Sequence, residues 1–418
     1  MAELTYDATG RLLFTEEMRR EYTILMPMML PVHLTFLAQI LREQGFNVDL
    51  LTSTNREIID QGLQSVHNDT CYPALLVIGQ MMDALESGKY DMDKVALLMT
   101  QTGGGCRASN YIHLIRKALK KRSWEHIPVI SFNMAGMEKN PGFKFPLKVY
   151  VELIGVIVYA DLLMNLANQC RPYEVNKGDS DALVEEWMRR LLERKMSLRH
   201  LSKTLAAIAA DFAAIPVRRT PKVAVGVVGE IYIKYAALGN NNLERLLADE
   251  GCEVVVPGLL DFLIFMGDHH LVDTKRYHIK YKKAMASAAI KIVFSFFQKR
   301  LIRAVKTQTC FRVPTDFATI KSLASEYVSD GNKMGEGWLL TGEMLELIHT
   351  GIGNIICTQP FGCLPNHIVG KGMIRAIRED HKDANIVAID YDPGATPTNQ
   401  ENRIKLMLSV ARERLQIP

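Results

Sequence analysis

The chain has 418 residues, a net charge of +4, and 48% hydrophobic residues. That length leaves room for two ordinary domains, each with its own core. So weak a charge points to neither nucleic acid nor a membrane surface as partner. No apolar run reaches the roughly 18–20 uninterrupted residues of a membrane-spanning helix; the nearest, Val151 to Ala167, contains Glu152 and Asp161.

The start, Met1-Ala-Glu-Leu-Thr-Tyr-Asp7, lacks the basic-then-apolar pattern of a signal peptide. The expected location is the cytoplasm, where disulfides are rare. The 7 cysteines then need another account.

After a polar lead-in over residues 1–20, Tyr22 to Met29 reads as a β-rich run. Val32 to Gln44 has helical periodicity and stops at Gly45; Val48 to Thr52 is a strand and Glu57 to Val66 a helix. Thr70-Cys71-Tyr72-Pro73 then opens the helical run Ala74 to Leu85. The strand Val95 to Thr100 leads through Thr102-Gly-Gly-Gly-Cys106 into the helix Ala108 to Leu119. Pro128 to Phe132 is another strand, and Met134 to Phe145 a loop rich in Gly, Pro and Asn. Residues 146–214 show no strand pattern and read as two or three long helices.

Arg218-Arg-Thr-Pro221 marks the expected domain boundary. Beyond it the pattern restarts: strand Lys222 to Val228, helix Asn242 to Glu250, strand Glu253 to Pro257. Residues 258–330 are mostly helical and include the basic, aromatic segment Lys275 to Lys283. A helix from Glu343 to Thr350 precedes the strand Asn354 to Cys357. Then come the turn Thr358-Gln-Pro-Phe-Gly-Cys363-Leu-Pro365, a helix Ile368 to Ile377, the strand Ile386 to Asp390, and a last helix from Asn399 to Leu415.

Strands alternating with helices of this length predict an α/β fold with parallel sheets. The expectation is two doubly wound, Rossmann- or flavodoxin-like domains with additional helices. Residues 1–217 would form an N-terminal domain with a helical extension, carrying Cys71 and Cys106. Residues 218–418 would form a C-terminal domain with a helical insertion, carrying Cys363.

Three cysteines, Cys71, Cys106 and Cys363, each stand where a helix begins, so a thiolate there would feel the positive end of the helix. Pro73 and Pro365 occupy early helical positions, where the missing N–H costs nothing. Soft thiolates select zinc, copper(I) or iron–sulfur clusters. The paired spacing typical of zinc is absent, whereas clusters accept dispersed thiolates. The plain alternative is that each is a small buried hydrophobe. Cys357 stands open between a fourth ligand and core, and Cys170, Cys252 and Cys310 read as core or surface.

Glu230 follows a strand and is a candidate acid or base in a cleft, or else a turn carboxylate. Arg107, Asn110, Asn366 and His367 flank the thiols, either bonding a bound group or capping helices. Asp390 and Asp392 before Pro393-Gly394 read as an Asx turn. The segment Lys275 to Lys283 reads as a solvated helix face, with CoA phosphates, an acidic partner or nucleic acid as other readings.

Several motifs together resemble a known family. They are Asp69-Thr-Cys71-Tyr-Pro73, Gly104-Gly-Cys106-Arg-Ala-Ser-Asn-Tyr111, Val228-Gly-Glu-Ile-Tyr232, Gly335-Glu-Gly-Trp338, Gln359-Pro-Phe-Gly-Cys363-Leu-Pro-Asn-His367, Asp390-Tyr-Asp-Pro-Gly394 and Asn399-Gln-Glu-Asn-Arg-Ile-Lys405. The chain resembles the iron–sulfur component of the 2-hydroxyacyl-CoA dehydratase and benzoyl-CoA reductase superfamily, in the branch related to acyl-CoA dehydratase activases of anaerobic bacteria.

The resemblance implies a [4Fe–4S] cluster held by Cys71, Cys106 and Cys363. It also implies an ATP-dependent activase as partner, supplying a low-potential electron for radical dehydration or reduction of an acyl-CoA-type substrate. That would make the chain a lyase or reductase component, paired as a homo- or heterodimer. The other readings are a non-catalytic electron relay, and a double-cubane reductase of small molecules. The phosphate-binding pattern G-x-x-x-x-G-K-[ST] is absent, so ATP hydrolysis is expected of the partner.

Overall fold

The structure, a computed structural model, describes residues 3–101, 104–133, 137–279 and 281–416. Thr102 and Gly103 of the predicted glycine-rich turn, residues 134–136 of the predicted loop and Lys280 of the basic segment fall outside the described residues. Two compact units emerge from the packing. The first comprises Met1–Tyr150, Tyr235–Gly239 and Pro360–Gly362; the second comprises Val151–Lys234, Asn240–Gln359 and Cys363–Pro418.

In the first unit the order is α1 (Glu16–Glu21), β1 (Thr23–Pro27), α2 (Pro31–Glu43), β2 (Asn47–Leu51), α3 (Glu57–Ser65), α4 (Tyr72–Glu86), β3 (Val95–Thr100), a 3-10 turn Arg107–Asn110, α5 (Tyr111–Lys121) and β4 (Val129–Phe132). The four strands form one parallel sheet in the order β2-β1-β3-β4. Ile24 to Pro27 and Val95 to Leu98 are buried without alternation. Such runs mark strands covered on both faces. Helix α5 turns Ile112, Ile115, Ala118 and Leu119 inward and ends on Lys120 and Lys121, which suit the negative end of its dipole. Helix α4 is buried over nearly its whole length, from Tyr72 to Leu85. It crosses α3 closely because Gly79 and Gly62 meet there: a methyl on Gly79 would collide with the Ile58 carbonyl.

The remaining elements are α6 (Leu147–Cys170), α7 (Asp179–Glu193), α8 (Leu201–Ala213), β5 (Ala224–Gly229), α9 (Ile231–Tyr235), α10 (Ala237–Asn240), α11 (Leu243–Asp249), β6 (Glu253–Val255), α12 (Leu259–Tyr277), α13 (Tyr281–Lys306), α14 (Phe317–Ser325), α15 (Leu339–His349), β7 (Asn354–Pro360), α16 (Ile374–Asp380), β8 (Asn385–Tyr391) and α17 (Pro397–Leu415). The second sheet repeats the first, in the order β6-β5-β7-β8. The fold is therefore α/β with two doubly wound, all-parallel, four-stranded sheets.

In both sheets the strand order reverses beside the first strand, between β1 and β3 and between β5 and β7. Ligands of open α/β sheets collect at that reversal, beyond the carboxyl ends of the strands.

By packing, residues 151–217 group with the second unit. Asp161 of α6 accepts from the Leu259 and Leu260 amides at 2.9 and 2.7 Å, capping α12, and the Tyr173 hydroxyl donates to Glu253 of β6 at 2.7 Å. Helix α6 is also long and apolar enough to span a membrane by length and composition, with a mean hydropathy of 1.7, yet 61% of that stretch is buried inside the protein. Glu152 and Asp161 are buried with it. These are the marks of a core helix.

Candidate functional site

Cys71 is the residue before the first turn of α4, with extended backbone (φ −57°, ψ 142°), and Pro73 follows inside the helix. The thiol is buried among Ala74 and Tyr111, with Met99, Ala108 and Leu114 around it. Its Sγ lies 3.4 Å from the Tyr111 hydroxyl. The chain returns to this place from far along the sequence. The Tyr72 amide donates to the Phe361 carbonyl at 3.0 Å. Gly362 has φ +70°, and a Cβ on it would lie 3.0 Å from the Cys71 Cα. A left-handed conformation and a close approach thus both require glycine at this position.

Cys106 follows β3, on the reversal side of the first sheet, and precedes the 3-10 turn that leads into α5. It is half-buried. Gln101 Nε2 donates to the Ser109 carbonyl at 2.9 Å, and the Ser109 hydroxyl donates to the Gly104 carbonyl at 2.9 Å, so side-chain bonds hold this turn. Arg107 and Asn110 are exposed, and Arg107 Nη1 donates to the Asp69 carbonyl at 3.4 Å.

Cys363 follows β7 at the reversal of the second sheet, and it is buried. The helix expected at Ile368 to Ile377 is broken. Asn366–Gly370 is a π-helical turn, Lys371–Met373 a 3-10 turn, and α16 begins only at Ile374. Asn366 explains the irregularity. It is fully buried and its Nδ2 donates to the Thr358 carbonyl at 2.7 Å, tying the turn to β7. Asn366 is therefore a structural clamp, while His367 is exposed beside the exposed Leu364 and Ile368.

The other thiols differ in setting. Cys357 is fully buried in β7 among Val228, Met344, Leu345 and Ile355, with its Sγ donating to Asn366 Oδ1 at 3.5 Å. Burial pushes its thiol up to about 12. Burial likewise raises Cys170 to about 12 and Cys252 to about 11, while Cys310 is exposed. Buried, hard-to-ionise thiols suit packing rather than ligation. Among the described residues, no three His, Cys, Asp or Glu side chains gather closely enough to hold a metal ion.

Glu230 follows β5 at the same reversal as Cys363. Gly229 before it has φ +135° and backs onto the Thr358 backbone. The Glu230 carboxylate accepts from the Ile233 amide at 2.9 Å, and burial, aided by the charge of Glu336, pushes it up to about 8. Glu336 accepts from the Ile231 amide at 2.9 Å and is likewise raised by burial. Beside them the Lys234 ammonium donates to Glu343 at 2.8 Å, both side chains being buried.

Sequence reasoning missed Lys234, Glu336 and Glu343 as a group. The motif Gly335-Glu-Gly-Trp338 held a sign of it, because Gly337 has φ +49° and turns the chain so that Glu336 faces inward. Asp392 forms the expected Asx turn, accepting from the Gly394 amide at 2.8 Å, and Asp390 pairs with Lys371 at 2.7 Å. A separate cavity of about 80 Å³ in the second unit is lined by Asp161, Asp261, Glu343 and Glu346, but by none of the cysteines.

Residues 23–93 match a family model described as a CoA enzyme activase uncharacterised domain (DUF2229). The match runs from β1 through α4 and includes Cys71. It links this part of the chain to the acyl-CoA dehydratase activase system. No curated protein matches the chain.

Proposed function

We propose that this chain is a cytoplasmic iron–sulfur protein of an acyl-CoA dehydratase-type system, with Cys71, Cys106 and Cys363 as ligands of a [4Fe–4S] cluster. The observation that carries the reading is topological. Cys106 and Cys363 each follow the strand beside which their sheet reverses, and the residue before Cys363 packs against Cys71.

Two features of the donors support the reading, although the three thiols are not gathered into one group in this structure: Cys71 and Cys363 stand at helix starts, and the Tyr111 hydroxyl can donate to the Cys71 sulfur. When bound, the cluster would supply low-potential single-electron transfer toward an acyl-CoA-type substrate. The electron would come from an ATP-dependent activase, for which the exposed Leu364 and Ile368 offer an apolar contact beside Cys363.

Glu230 is the residue we assign to proton handling. Burial raises its carboxyl to about 8, and it follows β5 at the reversal of the second sheet.

The test is iron and acid-labile sulfide per chain after anaerobic purification. About four of each are expected. Cys71→Ser, Cys106→Ser and Cys363→Ser should each lose most of the iron, and Cys252→Ser should keep it. Equal iron in all four variants would refute the ligand set. No iron after anaerobic reconstitution would refute the cluster.

A further inference from the structure

Helix α13 is apolar on two opposite sides. One side, with Ser287, Phe294, Gln298, Leu301 and Val305, is buried in the second unit, where α13 packs on α12 and α8. The other side carries Met285, Ala289, Ile292 and Phe296, spaced four, three and four residues apart, which puts them on one stripe. Met285 is 77% exposed, Ile292 68% and Phe296 47%. Val293 widens the stripe and Tyr281 heads it, and Tyr277 and Ile279, which precede α13, are exposed as well.

The charge around the stripe has one sign. From Thr274 to Lys306 the sequence holds ten Lys or Arg and no Asp or Glu, so this stretch carries +10 and the rest of the chain −6 (+4 minus +10). Arg276 and Lys291 are paired with Asp330 and Asp268. Lys275, Lys282, Lys283, Lys299, Arg303 and Lys306 are exposed, and among the described residues none of them forms an ion pair.

We propose that this face of α13 docks on an anionic lipid surface. An apolar stripe flanked by long cationic side chains, with tyrosines at one end, lets the stripe enter the headgroup boundary while the lysines reach lipid phosphates. Self-association is disfavoured, because pairing two copies of the stripe would set lysine against lysine at both ends. Nucleic acid calls for cations at the centre of the contact, and here the centre is apolar. Protein interfaces ordinarily mix charges of both signs; a lipid surface requires only one. The α13 stripe is independent of the cysteines and of the cluster.

The experiment is cosedimentation of the full chain with two kinds of vesicle, phosphatidylcholine alone and phosphatidylcholine with phosphatidylglycerol in about a two-to-one ratio. Binding to the anionic vesicles only is expected, and high salt should weaken it. Lys282→Gln, Lys299→Gln and Arg303→Gln combined should weaken it by about a hundredfold. Met285→Ser, Ile292→Ser and Phe296→Ser combined should abolish it. Both triple variants change exposed side chains and should keep the wild-type circular dichroism. Leu406→Ser, an exposed apolar change on α17, should bind as wild type. Four results would overturn the proposal: no binding to anionic vesicles, equal binding to both kinds, wild-type binding by either triple variant, or a dimer that the serine triple variant dissolves without any vesicle binding.

Discussion

Glu230 ties one side chain to the pH dependence of the whole fold. Its carboxyl sits near 8 in the folded chain, against an ordinary 4.5. Between those values the folded chain holds a proton that the unfolded chain releases. The linked stability is fully present below pH 4.5 and is lost as pH rises through 8. Glu230→Gln removes this titration. The stability of wild type relative to the variant should therefore fall between pH 4 and pH 9, by on the order of 2–5 kcal/mol, with Glu336 sharing the effect. Urea denaturation across that range measures it, and a pH-independent difference would show that the carboxyl is not held neutral. Gly362 gives a second residue-scale test. Gly362→Ala must adopt φ +70° and crowd the Cys71 Cα, which should cost about 1–3 kcal/mol of stability and lower the iron content proposed above. Unchanged stability would mean that the turn relaxes freely.

Between elements, the Lys234–Glu343 pair joins α9 to α15 inside the second unit, and only one Glu343 oxygen is bonded. Lys234→Met leaves that carboxylate buried without its cation and should destabilise the fold by about 3–5 kcal/mol. Lys234→Met with Glu343→Leu should recover most of the loss in the same denaturation assay. Additive losses would mean that the two side chains act separately. Elements of this kind were only partly legible in the sequence. Buried strands such as Val95 to Thr100 and the helix starts at Cys71 and Cys363 were readable, because hydrophobic runs, proline and thiol all lie within a few residues of each other. The π turn after Cys363 was not, since it depends on Asn366 reaching the Thr358 carbonyl across the turn. Nor was the allegiance of α6, which Asp161 settles by capping a helix some hundred residues further on. The outer stripe of α13 escaped notice for a related reason. Periodicity reveals that a helix has apolar stripes, and only packing decides which of them is covered.

At the scale of the molecule, the first unit is discontinuous. Its last contribution, Pro360–Gly362, covers the start of α4. A fragment ending at Tyr150 lacks that cover. In hydrogen exchange, its Tyr72 amide should exchange fast while the amides of β1 and β3 stay protected; equal protection of Tyr72 in fragment and full chain would refute this role for Phe361. The same discontinuity sets a clock on biosynthesis. A ribosome adding about 5–20 residues per second needs on the order of 10–40 s to pass from residue 150 to residue 362. Throughout that interval Cys71 waits on a nascent chain with its neighbourhood unfinished. Any group that Cys71 held together with Cys363, as proposed above, could be installed only after most of the chain had been made.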